Sequence, residues 1–308
     1  MKLTYAAAAS LAVMVALPAG AAAVRPPLTS VSHLAIYAAD MAAADQFFTH
    51  NLGAAKRSDP EDAQGVRYYF NPIQFVEVLP LPAKEAESKN RMDHMAYNTT
   101  DVKALKRYLA AHDIKATGGI HDGSDGSAWF DVKDPEGNVV QFVQPPKDPK
   151  PVADNPLSDH IIHFGFIVHD PDKENAFYRT VLGFRPYWWG GMHDKAQWIS
   201  QQLPDSTDWV EYMVVSGPQK EGIPADMSQA DAGVLDHFAL GVGNMEKTVT
   251  LLTGGDRISE KNDGPKIGRD GKWQYNMYTP DGTRTEFMEF HAVTKPCCSP
   301  FTASDPEK

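Results

Sequence analysis

Hydrophobic and polar positions fall into one order four times along the chain. The segments are "VSHLAIYAADMAAADQFF" from Val31, "MDHMAYNTTDVKALKRYL" from Met92, "IIHFGFIVHDPDKENAFY" from Ile161 and "LDHFALGVGNMEKTVTLL" from Leu235. Each opens with an apolar, partly alternating run that carries a histidine near its start, which predicts a strand. An acidic or amide residue follows near a turn. An amphipathic stretch then predicts a helix and ends in bulky apolar residues. In all four, the bulky pair begins 14 residues after the histidine: Phe47-Phe48, Tyr108-Leu109, Phe177-Tyr178 and Leu251-Leu252. Leu52-Gly53 and Leu182-Gly183 follow in the first and third, where glycine suits a helix C-terminus.

Each segment continues through turn-separated strands to a last one: "YYFNPIQFVEVLP", "WFDVKDPEGNVVQFVQP", "DSTDWVEYMVV" and "YNMYTPDGTRTEFMEF". The second and fourth share a turn, Asp134-Pro135-Glu136-Gly137 and Thr279-Pro280-Asp281-Gly282, with Gln141 and Glu286 six residues beyond each proline. The repeating unit is therefore strand, helix and about three strands. The expected fold is α+β, with four βαβββ modules. A Pro-rich stretch, "QPPKDPKPVADNP", separates the second unit from the third and marks a boundary. The expected organisation is an N-terminal domain of modules 1 and 2 (29–146), a linker (147–157), a C-terminal domain of modules 3 and 4 (158–292) and a tail (293–308).

Composition adds limits. Hydrophobic residues are 42% and charged residues 22% of 308, enough to build a core without a disulfide framework. A net charge of -11 with no basic cluster argues against nucleic acid and anionic membrane as partners. Residues 1–23 read as a secretory signal peptide: Lys2, then "LTYAAAASLAVMVALPAG", then an Ala-x-Ala site, with cleavage expected after Ala23. The expected location is a bacterial periplasm or the extracellular space, with no stable membrane insertion after cleavage. The two cysteines, Cys297 and Cys298, are adjacent in "KPCCSPF"; they read as part of a surface tail, either bonded to each other or linking two chains.

The repeat selects the candidate chemistry. His163 keeps the 14-residue register, whereas His160 is out of phase and His169 lies at the strand end. His160 and His163 are an odd number apart and face opposite sides of one strand. Pairing each opening histidine with the polar residue near the end of its unit yields His33 with Glu77, His94 with Gln141, His163 with Glu211 and His237 with Glu286. A first and a last strand lying side by side would bring each pair together. Glu289 faces away from Glu286, which alone matches Gln141 in the turn register. Imidazole and carboxylate donors suit Zn, Ni, Co, Fe or Mn, so the expectation is one divalent metal on His163, Glu211, His237 and Glu286. A second candidate site is His33, Glu77, His94 and Gln141. No nucleotide motif is present. In "RPYWWGGMHD", Trp188 and Trp189 are candidates to line a pocket for a small-molecule substrate, with Trp198 and Trp209 adding aromatic character.

Together these residues resemble the vicinal oxygen chelate superfamily, which includes glyoxalase I, bleomycin resistance proteins and extradiol ring-cleaving dioxygenases. The resemblance runs from Val31 to Phe290 and is most marked in "HFGFIVHDPDKENAFYRTVLGF". It implies that the modules pair into two cupped sheets around a divalent metal. It also implies one of three activities. In a glyoxalase-I-like isomerase or lyase acting on vicinal oxygens, Glu211 or Glu286 would be the catalytic base; this is the leading expectation. In an Fe(II) or Mn(II) extradiol-type dioxygenase, the triad would be His163, His237 and Glu286. That signature expects a tyrosine where Asn276 stands and a histidine near Ile267, Gly268 and Arg269. The third is a metal-free ligand-binding protein.

Overall fold

The computed structural model describes residues 24–192, 195–217 and 222–307; the expected leader and its cleavage point lie outside them. The first half forms β1 (Leu28–Ala38), α1 (Met41–Gln46), β2 (Ala55–Ser58), β3 (Val66–Asn71), β4 (Gln74–Pro80), β5 (Met92–Thr99), α2 (Val102–Ala110), β6 (His121–Asp122), β7 (Ala128–Lys133) and β8 (Val139–Gln144). The second half forms β9 (Ile161–Val168), α3 (Pro171–Asn175), β10 (Arg185–Gly190), β11 (Trp198–Gln202), β12 (Trp209–Gly217), β13 (Ile223–Pro224), β14 (His237–Val242), α4 (Met245–Gly254), β15 (Asn262–Ile267), β16 (Trp273–Tyr278) and β17 (Arg284–Glu289). Two mixed, curled sheets result. Their orders are β2-β3-β4-β1-β5-β8-β7-β6 and β10-β11-β12-β9-β14-β17-β16-β15, with β13 beside β12. The four-module α+β reading therefore holds.

The same local chemistry starts every helix. The polar residue seven positions after each histidine is the N-cap: the side chains of Asp40, Asp101, Asp170 and Asn244 accept hydrogen bonds from first-turn N–H groups. α1 and α3 continue as π-helical turns over Phe47–Asn51 and Ala176–Val181, and Gly53 and Gly183 end these with φ of 72° and 80°, a conformation that disfavours any side chain.

One face of each sheet carries the apolar alternation and packs with the helices into a single core that spans both sheets. Phe48 lies against Phe238, and Tyr97 sits among Phe164, Tyr178 and Phe184. Polar groups tie the halves together. The Gln74 amide pairs with both N–H and C=O of Ile161. Glu136 in the shared turn accepts from the N–H groups of His169 and Asp170, and Asp281 in the equivalent turn accepts from Ala39. His160 binds Asp208 at 2.7 Å, and Asp208 also accepts from Val31, so this histidine is a tie between the sheets. With the cores facing each other, the opposite faces are left for the histidines and carboxylates.

In the tail, one of the two alternatives for the cysteines is found, and the segment is docked more closely than a surface tail. Residues 293–305 are laid across β10 and the turn before β16. Cys297 and Cys298 are bonded to each other. Trp188 donates to the Cys297 carbonyl, Thr302 N–H to Tyr187, and buried Lys272 pairs with Asp305 at 2.9 Å. Among the described residues no helix is long and apolar enough to cross a membrane.

Candidate metal centre

Four adjacent central strands of the second sheet each present one candidate ligand on the same face: Glu211 on β12, His163 on β9, His237 on β14 and Glu286 on β17. Register explains why. In parallel pairs, β9 sets His163 beside Trp209 and Gly165 beside Glu211, and β14 sets Ala239 beside Glu286. In the antiparallel pair between them, Gly165 faces His237 and Ala239 faces His163. The first sheet repeats this with Glu77, His33, His94 and Gln141 on β4, β1, β5 and β8.

In the second sheet the donor atoms converge. His163 Nε2 and His237 Nε2 are 3.2 Å apart. Glu286 Oε2 is 3.5 Å from the first and 3.8 Å from the second, and Glu211 Oε2 is 3.8 Å from His237 Nε2. Bonds of about 2.0–2.2 Å to a divalent ion put neighbouring donors roughly 3.0–3.5 Å apart; the 3.2 and 3.5 Å separations match this, and the two of 3.8 Å are slightly wider. Tautomers fit as well. His237 Nδ1–H donates to the Leu235 carbonyl at 2.6 Å, which leaves the Nε2 lone pair facing the centre. His163 stacks on Trp209 at 4.7 Å, which fixes its ring plane, and its buried Nδ1 has no partner. Burial, with Arg284 nearby, holds both imidazoles well below their ordinary pKa and so neutral. Burial pushes Glu211 up to about 8, helped by Glu286, and pushes Glu286 up to about 7. Arg284 Nη2 lies against the His237 ring, 2.7 Å from Nδ1 and 2.8 Å from Nε2, and its charge favours ionisation of both carboxyls.

The first sheet gathers His33, Glu77 and His94, with the two Nε2 atoms 2.9 Å apart and Glu77 Oε2 3.9 and 3.6 Å from them. This His/Glu/His set also has the spacing of a divalent-metal site. Its surroundings differ. Buried Arg67 reaches Asp59, Glu61 and Glu77, so the carboxylates have a resident counter-charge. Burial would lower the His94 pKa, but its bond to Asp93 and the Glu77 charge outweigh this and raise it to about 9. Gln141 Nε2 donates to Glu61 at 2.9 Å, and its buried Oε1 has no partner.

Beside the second centre is a cavity of about 330 Å³ lined by Trp188, Trp198, Glu211, Asn276, Arg284 and Glu286. Trp188 reaches it and its neighbour Trp189 does not, as alternation along a strand requires; the Trp189 backbone instead binds Ser299 and Cys298. Glu289 caps α4 through the Met245 N–H, and His169 binds Glu136. Arg284 was not singled out from the sequence, and Asn276 only as the place where a tyrosine was expected. Arg284 was findable, two residues before Glu286 and therefore on its face. The same interval places Trp209 before Glu211 and Phe75 before Glu77, and each ring stacks on the neighbouring histidine.

Comparison with known proteins agrees with this geometry. The model of the Glyoxalase/Bleomycin resistance protein/Dioxygenase superfamily matches residues 30–142 and 160–232. No curated protein sequence matches the chain. Solved structures with a similar fold include the homoprotocatechuate 2,3-dioxygenase of Arthrobacter globiformis, at 16% identity over 86% of this chain and 80% of that one, with a TM-score of 0.62. The 2,3-dioxygenase LapB of a Pseudomonas species is 13% identical over 90% of this chain and 97% of that one, with a TM-score of 0.63. The Mn(II)-bound glyoxalase of Novosphingobium aromaticivorans is 17% identical over 86% and 83%, with a TM-score of 0.59. Repeated modules, a matching family model and two His/Glu/His clusters lead to one conclusion: the chain belongs to the Glyoxalase/Bleomycin resistance protein/Dioxygenase superfamily.

Proposed function

We propose that the protein is an Fe(II)- or Mn(II)-dependent dioxygenase that opens a small aromatic ring bearing neighbouring hydroxyls. The observation that carries this reading is the meeting of His163, His237 and Glu286 within 3.8 Å of one another beside a cavity walled by Trp188 and Trp198. The shared fold with 2,3-dioxygenases supports it over the isomerase reading. A metal bound there would gather two substrate oxygens and molecular oxygen at one centre. The chain's own residues do the rest. The tryptophans hold the ring and exclude water, Arg284 offers positive charge to a deprotonated hydroxyl, and Glu211 holds or releases a proton at Oε2. The leader-like residues 1–23 support an exported enzyme.

Glu211 favours a second reading. As a fourth donor it suits metal-assisted proton transfer, as in a glyoxalase-like isomerase. Oxygen uptake separates the two. Protein reconstituted anaerobically with Fe(II) is given catechol and 3,4-dihydroxyphenylacetate. One O₂ consumed per ring opened, lost in Glu286→Gln, is the expected result. Metal-dependent conversion of a hemithioacetal without oxygen uptake would replace it with the isomerase reading.

A further inference from the structure

Cys297 and Cys298 are neighbours in the chain, so their disulfide closes a small ring around one peptide group and ties together no distant parts of the fold. A bond that removes so little freedom from the unfolded chain adds little stability through loop closure. What it sets is the direction of the two polar groups of that peptide. Both address β10. The Cys297 carbonyl accepts from Trp188 Nε1 at 2.9 Å, and the Cys298 N–H donates to the Trp189 carbonyl at 3.5 Å. The seat is tight: a Cβ at Gly190 would lie 2.3 Å from the Trp188 ring and 3.1 Å from the Cys297 oxygen.

The other side of the ring holds the turn before β16. The Cys297 N–H donates to the Arg269 carbonyl at 2.8 Å, and Arg269 Nη2 reaches Cys297 Sγ at 3.2 Å and the Gly191 carbonyl at 2.6 Å. β10 and the β15–β16 pair stand at opposite ends of the second sheet. The curl of the sheet brings them to one rim, and the ring bridges them there. Trp188 and Arg269 both line the cavity beside the metal centre. The rest of the tail has its own anchors: Ser299 Oγ accepts from the Trp189 N–H, the Thr302 N–H donates to the Tyr187 carbonyl, and Asp305 pairs with Lys272. The contact between Arg269 and Cys297 Sγ is exposed, so a soluble thiol reaches the disulfide.

We propose that the Cys297–Cys298 ring is a redox-sensitive clasp that positions Trp188 and Arg269 across the mouth of the cavity. A dithiol supplies the two electrons that open it: the S–S bond breaks, each Sγ takes a proton, and the dithiol leaves as a disulfide. The open dipeptide no longer fixes the Cys297 carbonyl, Trp188 loses its acceptor, and the cavity loosens while the tail stays docked. The effect on a ligand rests on the reading of this cavity as a substrate site; the effect on Trp188 does not.

Protein treated with dithiothreitol and desalted without oxygen is compared with the oxidised form and with the double variant Cys297→Ser, Cys298→Ser. In the metal-free proteins the ¹⁵N-labelled Trp188 indole N–H should exchange at least about tenfold faster once the disulfide is open, while the Trp209 signal stays unchanged. The thermal midpoint should move by less than about 2 °C. Loaded with Fe(II) under nitrogen, the open forms should bind 4-nitrocatechol about three- to tenfold more weakly, the effect of one hydrogen bond lost from a cavity wall. Reoxidation should restore the wild type and leave the double variant as it was. The proposal is overturned if the pair resists dithiothreitol, if Trp188 exchanges alike in both forms, or if 4-nitrocatechol binds both forms equally. A larger fall in the midpoint would also overturn it, by making the disulfide a staple of the fold. If 4-nitrocatechol binds neither form, the dioxygenase reading fails and Trp188 exchange alone decides the clasp.

Discussion

Gly165 shows how closely one residue is set by another. A Cβ built there would lie 1.9 Å from Cε1 of His237, so the imidazole lies where a side chain would otherwise be. The first sheet has Ala35 at this position, between Glu77 and His94 in register. Gly165→Val should push His237 out of the cluster and lower metal affinity at this centre by at least about tenfold, by analogy with losses on disturbing a ligand's support. Metal titration followed alongside circular dichroism separates displacement from unfolding; a folded Gly165→Val that binds metal like wild type would mean that His237 is not a ligand where it lies. The histidines and carboxylates were legible because the repeat kept their spacing. Gln141 was legible as a position and not as a contact. Its partner, Glu61, stands in the loop between β2 and β3, whose path no periodicity reports.

At the scale of elements, short-range chemistry was the most readable. Strand alternation and N-caps at a fixed offset are local and all four modules obey them, and the first and third add a glycine helix end. The tail was not readable, because its partners are distant in sequence. Lys272 is buried and donates to Tyr187 Oη, to the Phe290 carbonyl and to Asp305. Burial lowers its pKa while Asp305 opposes this. Removing one partner of a buried pair typically costs about 3–5 kcal/mol; Asp305 is 21% exposed, so Asp305→Asn should cost about 2 kcal/mol, at or below the lower end. Equilibrium urea unfolding measures this. An unchanged midpoint would mean that the tail lies on the fold without stabilising it.

At the scale of the whole molecule, the two sheets share one core and turn their polar faces outward, so each keeps its own site. Their junction buries acid. Glu174 on α3 accepts from the Glu136 N–H, and burial, then Asp134 and Glu136, push its carboxyl up to about 9. Burial pushes Asp134 up to about 6. A carboxyl with a higher pKa folded than unfolded takes up a proton on folding. Its contribution is complete below the unfolded value, near 4.5 for Glu174, and is lost as pH rises towards 9. The thermal midpoint should therefore fall between pH 5 and 9, and fall less in Glu174→Gln. Equal slopes in the two proteins would place the ionised form of Glu174 in the folded state already at neutral pH.

The central claim is that the second sheet holds a divalent metal on His163, His237 and Glu286. Metal per chain, by elemental analysis after anaerobic reconstitution and gel filtration, tests it most directly in wild type, His163→Ala and His33→Ala. The account predicts at least one tightly held ion in wild type, lost from the second sheet in His163→Ala and kept there in His33→Ala, where Arg67 already balances the first site. A His163→Ala protein that holds as much metal as wild type, or a wild type that holds none, would contradict it.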